Sequence, residues 1–141
     1  MQLFDYIGKS LKSDDVIEVL EHFDMSVIYD FDRLHENTAD SYRSSARSAG
    51  FEFRFDEHQT LCTIWGYIQP RSGFSAIDEA MLGAPCFLTF TEAALHAEKA
   101  GVRTSHSTDG SSWIRFEHDN TPWIHYQFSD GQLALVTFMR Q

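Results

Sequence analysis

From residue 50 to 65 the chain reads GFEFRFDEHQTLCTIW, with Phe51, Phe53 and Phe55 alternating with Glu52 and Arg54. Alternation of large apolar and polar residues is the pattern of a strand with one buried and one wet face. DEHQ breaks the run and TLCTIWGYI resumes it, which predicts a β-hairpin. The same order returns near the end of the chain. WIRFEHD puts Ile114 and Phe116 on one face, NTP turns, and WIHYQF returns with Ile124, Tyr126 and Phe128. SDGQ turns again, its Asp130-Gly131 a strong hairpin signal, and LALVTFMR follows.

In two places the period becomes helical. In SLKSDDVIEVLEHFDM, Ser13 is a candidate N-cap, and Asp14 and Asp15 stand in the first turn, where carboxylates suit the helix dipole. Val16, Ile17, Val19, Leu20 and Phe23 recur at helical spacing, while Asp14, Asp15, Glu18 and Glu21 fall mostly on the other side. LTFTEAALHAEKAGV predicts a second helix, with Thr91 as its N-cap and Gly101 as a left-handed C-terminal cap. Between these elements, SVIYDF reads as a strand and residues 32–49 as a polar, Ser-rich loop. Residues 70–86, punctuated by Pro70, Gly73, Gly83 and Pro85, read as a connecting loop, and RTSHSTDGSS as another.

The two hairpins match each other. Phe51, Phe53, Phe55 and Gln59 correspond at constant spacing to Ile124, Tyr126, Phe128 and Gln132. After the turn, Thr63-Ile64-Trp65 matches Thr137-Phe138-Met139 with one residue of slip. Each hairpin has a helix ahead of it. The expectation is an α+β fold in one domain, residues 1–141, with halves 1–70 and 86–141 joined by the loop 70–86. Its antiparallel sheet is built from two helix-plus-hairpin units with both helices on one face. The other face is then partly solvated, and aromatics on it make a binding platform.

Composition narrows the partners. The formal net charge of −10 leaves little basic surface for phosphate, so neither nucleic acid nor an anionic membrane is an expected partner. The charge is uneven: residues 1–40 hold ten acids and three bases, which gives the N-terminal third most of the acidity. A basic protein partner fits such a surface. Cys62 and Cys86 form no C-x-x-C and sit in apolar runs, so they read as small buried hydrophobes. The first residues, MQLFDYIGKSLKSDD, lack the pattern of an export signal, and a cytoplasmic location is expected.

Candidate chemistry is sparse. The seven histidines show neither H-E-x-x-H nor a Cys/His cluster, although His118 and His125 fall in one hairpin; no metal site is expected. Ser105, His106, Ser107 and Asp109 lie together in one loop, whereas catalytic triads are assembled in space from rigid elements. Asp14/Asp15, Asp30/Asp32 and Asp56/Glu57 sit where capping and turn roles account for them. No nucleotide-binding glycine pattern occurs, and neither catalytic residue nor cofactor is expected. Surface recognition remains. Its candidates are the acidic set Asp14, Asp15, Glu18, Glu21, Asp30 and Asp32, and the aromatic set Trp65, Tyr67, Trp113 and Trp123. Trp123, after Pro122 in a turn, is expected to be the most accessible.

The run GFEFRFDEHQTLCTIWGYI, the LTFTEAALHAEKAG helix, WIRFEHD and IHYQFSDGQLALVTFM together resemble a family of small bacterial immunity proteins found beside secreted polymorphic toxins. The order of units is also similar to the repeated helix-plus-hairpin layout of the beta-lactamase-inhibitor-protein and small outer-membrane-lipoprotein folds. The resemblance implies a non-enzymatic antidote that binds a cognate toxin and occludes its active site. That toxin would act in the cytosol, as a nuclease, a deaminase or an NAD-consuming or ADP-ribosylating enzyme. The motifs are structural and carry over no site residue. A small-molecule-binding or regulatory α+β domain and a small hydrolase stay open as alternatives.

Overall fold

The computed structural model describes residues 1–141 and contains one eight-stranded antiparallel sheet with two helices. In chain order the elements are α1 (Asp14–His22), β1 (Val27–Asp30), β2 (Ser41–Ala46), β3 (Phe51–Phe55), β4 (Leu61–Tyr67), α2 (Phe90–Ala100), β5 (Thr104–His106), β6 (Trp113–Phe116), β7 (Trp123–Ser129) and β8 (Gln132–Met139). Short 3₁₀ turns occupy Leu3–Tyr6 and Glu79–Met81. Across the sheet the order is β1-β2-β3-β4-β8-β7-β6-β5, so each helix precedes a meander of four strands and the two meanders meet along β4 and β8. The fold is α+β as expected, but the unit after each helix is larger than a hairpin.

The two additional strands lie in segments read as loops. β2 occupies part of 32–49; of its inward positions Tyr42, Ser44 and Ala46, the two fully buried ones are too small to stand out as apolar alternation. β5, Thr-Ser-His, is a short polar strand at the sheet edge. The cap of α2 is Thr89, whose hydroxyl accepts from the Glu92 N–H at 3.3 Å, and not Thr91; Glu92 in turn accepts from the Leu88 N–H. Ser13 caps α1 and Gly101 closes α2 at φ 69°, both as predicted. Asp130 and Gly131 take φ of 53° and 78°, the left-handed pair a tight hairpin requires.

The hairpin registers correct the internal match. Phe53 faces Ile64, and Tyr126 faces Val136. Ile64 therefore plays the part of Val136, and Trp65 that of Thr137, so the slip runs opposite to the one the sequence suggested. The longer first turn, 56–60 against 129–132, absorbs it. A bulge falls at the same point in both hairpins, at Arg54/Phe55 and Gln127/Phe128. At the centre Ile64 pairs with Phe138, Gly66 with Val136, and Trp65 with Thr137. This register is symmetric about the Trp65–Thr137 pair.

One face of the sheet carries the core. Phe51, Phe53, Phe55, Leu61, Ile64, Ile114, Phe116, Ile124, Tyr126, Val136 and Phe138 are buried in one cluster with Val16 and Val19 of α1 and Ala93 and Ala97 of α2. Small residues on α2 let that helix lie close, and Phe87 fills the gap between His96, Phe116 and Tyr126. The loop 70–86 adds Ile77 and Leu82 to the same cluster.

Candidate protein-binding surface

Period-two geometry sends neighbours of the core residues to the opposite, helix-free face. One row runs across the sheet through Ser45, Glu52, Trp65, Thr137, His125, Arg115 and Ser105, one residue from each strand from β2 to β5. On one side of it lie Tyr67, Leu135, Gln127 and Trp113. On the other lie Arg43, Arg54, Thr63, Met139 and Trp123. All four aromatic candidates thus project from a single face.

Each ring is held by its neighbours. Trp113 stacks on His125 with centroids 5.0 Å apart. The Arg115 guanidinium lies 4.8 Å from the centre of the Trp123 ring, a cation–π contact. Arg115 is fixed from its other side by Glu117, at 2.8 Å from Nη2 and 2.9 Å from Nε. Glu117 also accepts from the Ser105 hydroxyl, and this bond followed by the Arg115 contact holds its carboxyl below the usual carboxylate range. At the far end Tyr67 stacks on Phe74 at 4.3 Å, and Arg47 covers Phe74 at 4.9 Å. Burial, followed by the Arg115 charge, lowers the His125 pKa and favours neutral imidazole.

Trp123 is not the accessible residue its position after Pro122 suggested. It begins β7, its ring is half-buried beside Arg115, and its Nε1–H is sealed from solvent with no acceptor. An unsatisfied donor of this kind costs about 1–3 kcal/mol, an exception among buried polar groups.

The acidic candidates lie elsewhere. Asp14, Asp15, Glu18 and Glu21 are exposed on α1, on the far side of the core from the aromatic face. Lys9 pairs with Asp15. Asp30 ends β1 and lies 3.8 Å from Arg43; Asp32, in the turn beyond, accepts from the Glu36 N–H. The four carboxylates of α1 and the four aromatics therefore form two surfaces with the core between them, while Asp30, paired with Arg43, lies at the edge of the aromatic side and Asp32 in the turn beyond it. The aromatic face mixes signs, its Arg43, Arg54 and Arg115 standing with Glu52 and Glu117.

Other candidate groups have structural duties. Ser107 is buried; its hydroxyl donates to Asp109 and accepts from the N–H groups of Ser112 and Trp113. The hydroxyls of Ser107 and Ser112, then the N–H groups of Ser111 and Ser112, hold the Asp109 carboxyl well below the carboxylate range. Asp56 closes its turn by accepting from the N–H groups of His58 and Thr60. No three His, Cys, Asp or Glu side chains converge as metal ligands would. Both cysteines are half-buried and not in the core; Cys62 sits at the β4 bulge, and burial with a Glu79 contact pushes the Cys86 thiol up to about 12. An open cleft of about 690 Å³ lies beside Cys86, between the loop 70–86 and the β7–β8 turn. No helix is long and apolar enough to cross a membrane.

The parity of the strands held a signal that the sequence reading did not use: Trp65, Tyr67, Trp113 and Trp123 all have the parity opposite to the core residues beside them. Comparison with protein-family models, curated proteins and solved structures returned no match.

Proposed function

We propose that this protein is a cytoplasmic antidote of the immunity type, which binds a cognate toxin through the aromatic face of its sheet and blocks the toxin's active site. The observation that carries the reading is the gathering of Trp65, Tyr67, Trp113 and Trp123 on one helix-free face. Trp and Tyr supply large contact area at low entropic cost and dominate interface energetics. The acidic face of α1 has a different task in this scheme, steering a basic toxin into encounter without entering the final contact. The doubled order of the sheet supports the likeness to the beta-lactamase-inhibitor-protein layout, read here as two α-then-four-strand units.

The test is rescue combined with calorimetry. The toxin encoded beside this protein is expressed in a heterologous host with and without it, and binding is measured at two salt concentrations. Rescue is expected, with Trp65→Ala plus Trp113→Ala weakening affinity at least about a hundredfold, as two anchors of ~2 kcal/mol would. Neutralising Asp14, Asp15, Glu18 and Glu21 together should slow association and leave dissociation unchanged. Absence of toxicity or of binding defeats the antidote reading. The cleft beside Cys86, within the size range of small-molecule sites, favours a ligand-binding domain as the second reading. A metabolite screen that raises the Tm only while Cys86 is unmodified would bring that reading forward.

A further inference from the structure

We propose that the free edge of β1 is a strand-addition site that takes an extended segment of a partner protein bearing lysine or arginine between apolar residues. The proposal stands apart from the aromatic face and from the antidote reading.

The two edges of the sheet differ in kind. β5 is polar, exposes no large apolar side chain, and is reached by α2, whose Phe90 meets His106 edge to face at 6.2 Å. On the other side, the aromatic contacts of the α1 end stop at β3, where Phe23 meets Phe51 at 5.1 Å. The helix side of β1 is left uncovered, with Val27 and Tyr29 40 and 46% exposed; Ile28, on the opposite face beside Arg43, is 52% exposed, and Phe31, just past the strand, 50%. In an antiparallel ladder every second residue points its N–H and C=O away from its neighbour. No backbone group outside β2 bonds to Val27–Asp30, so those outward groups are free. Natural edges are guarded by shortness, by charge (lysine above all), by proline or by a bulge. β1, Val-Ile-Tyr-Asp, is short and ends in the charged Asp30, but it has no lysine, proline or bulge, and its pairing with β2 is regular.

Charge decides the occupant. Around β1, Asp30, Asp32, Glu36 and Asp40 outnumber two arginines, Arg33 and the cross-strand Arg43, 3.8 Å from Asp30. Asp40 is drawn to the patch by the Tyr29 hydroxyl at 2.6 Å, and the Asp32 N–H donates to the same carboxylate. A second copy pairing edge to edge would set two such acidic groups against each other, which disfavours a homodimer. A strand with alternating apolar and basic side chains meets all three features: free backbone bonds, apolar side chains and acidic rim.

The probes are twelve-residue peptides from a random display library selected on the full chain, with binding mapped by amide shifts. Enriched peptides should alternate apolar residues with Lys or Arg and shift the signals of residues 27–34 first. N-methylation of alternate peptide residues in the set that faces β1 should weaken binding at least about tenfold, two lost backbone bonds, while the other set stays within about twofold. Ile28→Lys, at an exposed position, should weaken it to a similar extent with an unchanged Tm. The inference is overturned if the methylation sets behave alike, if the shifts map to the aromatic face or α1, or if no peptide is enriched. Concentration-dependent dimerisation through β1, read by sedimentation, also overturns it in favour of a second copy.

Discussion

Replacing Gly50 by alanine tests how the long loop 70–86 is held to the sheet. Gly50 has φ 82°, and a Cβ there would lie 2.4 Å from the Ser75 carbonyl oxygen, 2.6 Å from the Ile77 nitrogen and 2.9 Å from the Ala76 carbonyl carbon. All three are backbone atoms, so no rotamer change relieves the clash and the loop must move. Gly131 is the control: its φ is 78° but nothing lies within 4 Å of a built Cβ. Gly131→Ala should then cost only the left-handed penalty, about 1–2 kcal/mol. Gly50→Ala incurs that penalty and loosens the Ser75 N–H bond to Arg47 O (2.9 Å) and the Ile77 N–H bond to Tyr67 O (2.7 Å). At about 1 kcal/mol each, with part of the burial of Ile77 lost, the total reaches ~3–5 kcal/mol. Urea unfolding of both variants measures the difference, and proteolysis within 70–86 should appear in Gly50→Ala alone. Equal destabilisation to within about 1 kcal/mol would refute the docking of the loop on the β2–β3 turn. The loop also carries Phe74 onto Tyr67, so the near end of the aromatic face should lose order in the same variant.

Three further outcomes follow from individual groups. His125 should titrate below 6.5; because the folded pKa is depressed, its contribution to stability is full above 6.5 and fades as pH falls through the folded value, and Arg115→Gln should bring the NMR midpoint part of the way back. Cys86, with its thiol pushed up to about 12, should react with iodoacetamide at pH 8 far more slowly than a free thiol, and an ordinary rate would contradict its burial beside Glu79. Tyr126→Phe removes the hydroxyl that donates to Pro85 O at 2.8 Å and should cost about 1–3 kcal/mol in chemical unfolding, since the carbonyl loses its partner.

Local pattern was legible where side-chain size made it visible. Phe51, Phe53 and Phe55 announce β3, and Ser13 and Gly101 bound their helices because capping is a contest between a few neighbouring groups. β2 was hidden because its inward Ser44 and Ala46 fit under a crowded core, and Ser44 satisfies its hydroxyl on Ser26 O. β5 was hidden because an edge strand needs only one partner and no apolar face. The β4–β8 pairing joins residues far apart in sequence, and nothing local encodes it. For the same reason nothing local showed that the carboxylates of α1 and the four aromatics lie on opposite sides of the core.

The symmetric register offers an internal comparison of what each face tolerates. In the core of the two hairpins, four equivalent pairs keep their character, Phe53 and Tyr126, Phe55 and Phe128, Leu61 and Leu133, Ile64 and Val136, whereas Gly66 stands where Phe138 does, beneath Leu82, and Ser44 and Ala46 stand where Ile114 and Phe116 do. On the helix-free face equivalent positions do not keep it: Glu52 stands where His125 does, Arg54 where Gln127 does, Ser45 where Arg115 does, and Trp65 where Thr137 does. Packing explains the first set, because a shared backbone encloses similar volumes and overpacking or cavities cost about 1–5 kcal/mol. It explains less of the second: Leu135 and Thr137 at the centre of that face are buried beneath the neighbouring side chains, but the half-buried tryptophans around them, one with an arginine laid over it, exceed what covering two residues needs. The edges diverge in the same way, β5 polar and β1 apolar. In the core the breaks in symmetry are changes of size that a neighbour such as Leu82 makes good, whereas on the helix-free face and at the edges they are changes of chemical kind, and both surfaces proposed for binding lie among the latter.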